Sequence, residues 1–195
     1  MGDLVGSRLE LQAEPVVTTT WGEWRAAHPD TTVMDRETGH RRDYSEGAAY
    51  RDYFGTDELM FEVPRTDRRL KNKAEVLGVL LKPADNPDAP RKALALSAEF
   101  LSRNRLHHQA FAGHSLVVVT SPKGANRVYR TDGRWFTAGP GPEALRDEAG
   151  GVFSPREDAL RPVAAGAAAS FPRVPARRAY WFGWQAQFPD TDLVK

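Results

Sequence analysis

One motif occurs twice in this chain, and it constrains the fold more than any other feature. Trp21-Gly22-Glu23-Trp24-Arg25-Ala26-Ala27-His28-Pro29-Asp30-Thr31 aligns without a gap onto Trp181-Phe182-Gly183-Trp184-Gln185-Ala186-Gln187-Phe188-Pro189-Asp190-Thr191 at a constant offset of 160. Six of the eleven positions match, and two of those are tryptophans out of only 5 in the chain, so chance is a poor explanation. The register extends backwards, pairing Gly6 with Gly166, Leu11 with Phe171 and Pro15 with Pro175. A repeated segment sets the unit of a fold. With one closing segment at each end, residues 75–195 read as a complete second unit and 1–34 as the closing segment of a first unit. The body of that first unit is expected upstream of Met1, and 35–74 read as an irregular, tyrosine-rich connection.

Local signals give these segments shape. Residues 7–16 read as extended, closed by Pro15. A helix follows, with an N-cap among Thr18–Thr20, Glu23 three residues after Thr20 as in a capping box, and His28-Pro29 as its end. Trp21 and Trp24 then share one side of the helix, and large aromatic side chains at that spacing predict core anchors. Pro29-Asp30 and Pro189-Asp190 suit turns in which the aspartate bonds the backbone two residues on. Val33-Met34 reads as a short strand, and 40–74 as a long connection packing by its aromatics or against a neighbour.

Val76–Leu81 and Arg91–Leu96 read as two strands joined by a Pro/Asp/Asn-rich turn, with a short helix over 97–104. Leu116–Thr120 is the strongest strand signal. Lys123–Asn126 turns it into 127–130, and Thr131-Asp132-Gly133 predicts a further hairpin into 134–137, followed by a Gly/Pro-rich loop over 138–151. The fold class expected is α+β and β-dominated: antiparallel strands and hairpins, two or three short helices, and the repeated Trp-x-x-Trp helix.

Composition then removes function classes. Lys plus Arg is 27 against 26 Asp plus Glu, which argues against a nucleic-acid or polybasic membrane surface. The clusters Arg68–Lys73 and Arg177-Arg178 read as solvated faces. No apolar run approaches the ~18 residues a membrane span needs. Zero cysteines excludes disulfide scaffolds, cysteine-ligated metals and thiol nucleophiles. The first residues have no signal-peptide pattern, so the chain as written reads as cytoplasmic; it reads as periplasmic or secreted if the true N-terminus lies upstream.

Candidate chemistry is thin. His107, His108 and His114 fall within eight positions beside a strand and are the candidate binding residues, without ligand spacing or an acidic neighbour. No cofactor and no metal are assigned. Nucleophile elbows, Ser-x-x-Lys, phosphate loops and His-Glu-x-x-His are missing, and Ser121-Pro122-Lys123 at a strand end also reads as a plain turn. The residues assigned to the structural repeat are Trp21, Trp24, Pro29, Asp30, Trp181, Trp184, Pro189 and Asp190.

The double-tryptophan segments, together with Asp35–Gly39, Arg42-Asp43-Tyr44, Tyr50–Tyr53, Asp67-Arg68-Arg69-Leu70-x-x-Lys73 and Val76–Val79, resemble the bacterial domain-of-unknown-function family 3179 (DUF 3179). The likeness is dense over 4–81, sparse over 82–150 and clear again over 175–194, as for a C-terminal portion lacking most of a first unit. The resemblance implies two related units, frequent export and no activity to transfer. It also implies a Cys-Pro-Leu-Cys stretch in the upstream unit. Here Val118–Pro122 is the comparable place, with Ser121 where the first cysteine stands, and Leu106–Phe111 corresponds loosely to a histidine segment. The function expected is a non-enzymatic structural or protein-interaction module that self-associates or needs a protein partner. A metal- or redox-associated extracytoplasmic protein is the alternative, and a hydrolase the distant third.

Overall fold

The structure, a computed structural model, describes residues 6–7, 13–164 and 170–195. The pairings of Gly6 with Gly166 and Leu11 with Phe171 therefore reach outside the described residues, as does most of the expected extended stretch 7–16. In chain order the elements are α1 (Trp21–Ala27), α2 (Arg51–Phe54), β1 (Glu75–Leu81), β2 (Lys92–Ser97), α3 (Ala98–Arg103), β3 (Leu106–Phe111), β4 (His114–Thr120) and β5 (Asn126–Arg130). There follow β6 (Phe136–Ala138), β7 (Leu145–Asp147), β8 (Val152–Pro155), β9 (Ala159–Pro162), β10 (Phe171–Val174), β11 (Ala176–Tyr180), α4 (Trp181–Gln187) and β12 (Asp192–Val194). The fold is β-dominated and largely antiparallel, with short helices, as the sequence predicts.

Two sheets share the work. One has four strands in the order β11-β1-β2-β12, and the other eight in the order β3-β4-β5-β10-β9-β8-β7-β6. The eight-stranded sheet curls until its ends meet: His108 Nε2 on β3 lies 2.9 Å from the Phe136 carbonyl on β6, which nearly closes a barrel. Phe136, Phe153 and Phe171 fill the interior with Val117, Tyr129 and Leu160, the three phenyl rings in edge-on or tilted contact.

Period-2 alternation explains how one strand serves two cores. On β4, Val117 and Val119 face the barrel interior, whereas Leu116 and Val118 face a second core formed with Leu77, Val79 and Leu81 of β1. The opposite face of β1 presents Val76 and Gly78 to α4, where Trp181 and Trp184 are buried with Ala95. A Cβ at Gly78 would overlap the Trp184 ring, so the glycine is what lets the indole lie flat on the sheet. The long connection ends in a strap, 67–74, ordered against α4: the Asp67 carbonyl accepts from Trp181 Nε1 at 3.0 Å and the Ala74 carbonyl from Trp181 N at 2.8 Å.

Four expectations change. Trp21 and Trp24 are not core anchors; they are 48% and 38% exposed, because among the described residues no sheet lies beneath α1 as β1 and β2 lie beneath α4. Val33-Met34 forms no strand with any of the described residues, and both side chains stand out in solvent. The Asp132-Gly133 turn forms, with both residues at positive φ, yet β6 does not return along β5, whose second edge is taken by β10 through Arg173↔Tyr129 and Val174↔Val128. The loop 138–151 holds β7, which bridges β6 and β8. Besides the helices the sequence predicts, α2 forms within the tyrosine-rich connection.

Candidate functional site

The two closing segments have the same local build. In α1 the cap residue Thr20 has φ −75 and ψ 154, and in α4 the cap Tyr180 has φ −77 and ψ 146. Each helix ends at a residue near φ −130 and ψ 72, His28 (φ −133, ψ 72) or Phe188 (φ −130, ψ 71). Trp24 Nε1 donates to Thr31 Oγ1 at 3.0 Å, and Trp184 Nε1 donates to Thr191 Oγ1 at 2.9 Å. The ring below each indole is its helix terminator: His28 at 4.1 Å from Trp24 and Phe188 at 4.6 Å from Trp184. The turns that follow are closed by the backbone, Thr31 N to the His28 carbonyl and Thr191 N to the Phe188 carbonyl, each 3.1 Å. Backbone closure replaces the aspartate-to-backbone bond expected from Pro-Asp, and Asp30 and Asp190 point into solvent.

What surrounds the two copies differs completely. Trp181 and Trp184 are 0% and 2% exposed, clasped by β1, the strap and Arg69, whose guanidinium lies 5.0 Å from the Trp181 ring. In the first copy, Val16, Trp21, Trp24, Val33 and Met34 are all exposed. Trp181 N, Phe182 N and Trp181 Nε1 each donate to a carbonyl of the strap, whereas among the described residues Trp21 N, Gly22 N and Trp21 Nε1 find no acceptor. Exposed apolar groups concentrated on one segment mark an interaction surface far more often than scattered ones do.

Polar contacts at its back fix this arm to the barrel. Glu23 Oε1 accepts from Ser121 Oγ at 2.6 Å, and Glu23 Oε2 from Thr19 Oγ1 at 2.7 Å. Burial pushes the Glu23 carboxyl up, but the hydrogen bonds from Ser121, Thr19 and the Thr20 backbone outweigh it and hold the group below its ordinary value. Arg173 Nη2 donates to the Val16 carbonyl at 3.1 Å. The sequence gives no local signal for these anchors, since Glu23 and Ser121 are 98 residues apart. The Ser121 hydroxyl also accepts from Lys123 N at 3.2 Å and Ala125 N at 3.0 Å, which closes the β4–β5 turn.

The three histidines are engaged in separate places. His107 and His108 are consecutive on β3 and so face opposite sides of the sheet; His107 Nε2 meets Gln109 Oε1 at 3.1 Å, while His108 stacks on Trp135 at 3.7 Å. Burial pushes the His108 pKa down, against the carbonyl of Phe136. His114 lies at the far end of the hairpin, with Nε2 at 3.0 Å from the Lys82 carbonyl. Among the described residues no three His, Asp or Glu side chains are grouped to hold a metal ion. None of the helices among the described residues is long and apolar enough to cross a membrane.

A family model described as "Protein of unknown function (DUF3179)" matches residues 1–191. Neither a curated protein nor a solved structure matches the chain. The chain belongs to the DUF3179 family.

Proposed function

We propose, with membership of that family as the premise, that this chain is a non-enzymatic protein-interaction module whose docking element is the arm 16–34. One observation carries the reading: the same Trp-x-x-Trp helix is buried in its second occurrence and exposed in its first, with the internal geometry unchanged. A solvent-facing pair of tryptophans costs apolar hydration that burial against a partner recovers, at roughly 25 cal/mol per Å². On this reading residues 1–34 are the closing segment of a first unit, 75–195 are the second unit, and the module serves a bacterial protein.

The test is photochemical. A benzophenone-bearing amino acid placed at position 21, in cells that make the protein naturally, is expected to give one discrete adduct. The same group at position 163, also exposed but just past β9 and outside the arm, is expected to give none. Equal labelling from both positions, or none from position 21, sinks the reading.

A further inference from the structure

In the four-stranded sheet the two strands that flank α4 are not neighbours. The hairpin β1–β2 is threaded between β11 and β12, antiparallel to β11 from Glu75↔Tyr180 to Val79↔Ala176 and, on its other edge, parallel to β12 from Asp192↔Leu94 to Val194↔Leu96. Strand, helix and strand thus form a clasp, and the hairpin is what the clasp holds. The offset of 160 places Val16–Thr20 where β11 stands and Thr32–Met34 where β12 stands. Neither stretch is helical, Thr20 is extended (φ −75, ψ 154), and 15–20 alternate between half-buried and exposed as a strand does. Among the described residues their N–H groups make no hydrogen bond. An open strand edge on either side of an uncovered helix is a template for added strands.

We infer that the arm is an open clasp of the same kind, and that its occupant is an antiparallel β-hairpin inserted between 16–20 and 32–34, the counterpart of what β1–β2 is to the second copy. The filled clasp of this chain specifies the chemistry of that hairpin. It carries a glycine beneath the Trp24 ring, as Gly78 lies beneath Trp184, with small or aliphatic residues beside it in the manner of Val76 and Ala95. The segment leading into it presents backbone carbonyls to Trp21 N, Gly22 N and Trp21 Nε1, as Ala74, Asn72 and Asp67 do for the second copy. A second folded copy of this chain does not fit, because both edges of its own β1–β2 hairpin are already paired.

This inference rests on the arm being the docking element, and the experiment separates the two. The probe is a synthetic peptide of residues 67–97, which carries strap and hairpin, added to the full chain and followed by hydrogen exchange with mass-spectrometric readout. Saturable binding that slows exchange at 16–20 and 32–34 is expected, with a Gly78→Val peptide binding at least ~10-fold more weakly because its side chain meets the Trp24 ring. Absence of binding, binding that leaves those amides unprotected, or equal binding of the Gly78→Val peptide overturns the hairpin while an adduct from position 21 would still uphold the docking surface. An arm-dependent dimer in sedimentation without peptide also overturns it, in favour of a second copy.

Discussion

The same residue type at two equivalent positions has two different energetic roles here, and the difference is set by neighbours alone. Trp184 lies on Gly78 and bonds Thr191, whereas Trp24 bonds Thr31 but keeps more than a third of its surface in water. Truncating a buried tryptophan typically costs about 3–5 kcal/mol, and an exposed one far less. Trp184→Ala is therefore expected to lower the unfolding free energy by about 3–5 kcal/mol in urea, and Trp24→Ala by less than about 1 kcal/mol. Equal losses would mean that Trp24 is buried in the free protein. The spacing of the tryptophans makes their common face legible in the sequence; which copy is covered is not, since the covering residues Asp67, Gly78 and Ala95 are remote in the chain and carry no mark of the contact.

At the scale of elements, α1 is a 7-residue helix, too short to persist without tertiary support. Its support is the Glu23 carboxylate on the β4–β5 turn. Because the folded-state pKa of Glu23 lies below the ordinary 4.5, the stabilisation is complete above that value and is lost as the pH falls through the lower folded value. Exchange protection of the α1 amides is expected to fall on acidification below about 4.5, ahead of any loss in β4, and to be low at every pH in Glu23→Gln. Protection that holds in α1 until the barrel itself opens would show that the carboxylate is not the anchor. The strands written as short continuous apolar runs, β1 and β4, the helix cap at Thr20 and the short helix α3 follow from sequence pattern. β7 and the pairing of β5 with β10 do not, because a 3-residue strand has no period to read and a partner 40 or more residues away leaves no local signal.

At the scale of the whole molecule, three cores are linked by shared strands. β1 faces both α4 and the barrel's outer wall, and β4 faces both that wall and the barrel interior. Shared strands make the loss of one core the loss of its neighbour. Tryptophan fluorescence, whose change on unfolding is dominated by exposure of the buried Trp181 and Trp184, and far-ultraviolet dichroism, to which the eight-stranded barrel contributes most strands, are expected to give coincident unfolding midpoints. Separate transitions would establish that the four-stranded sheet and the barrel are independent units.

The sequence by itself determined the β-dominated class, the position of the Trp-x-x-Trp helices with the Thr20 cap of the first, and the family to which the chain belongs, all of which depend on residues close in the chain or on an ungapped pattern. Only the tertiary structure decided that one such helix is clasped around a hairpin and the other is open. That outcome depends on which strands lie between residues 16–20 and 32–34, and between 176–180 and 192–194, and strand insertion is a property of topology rather than of any local run of residues.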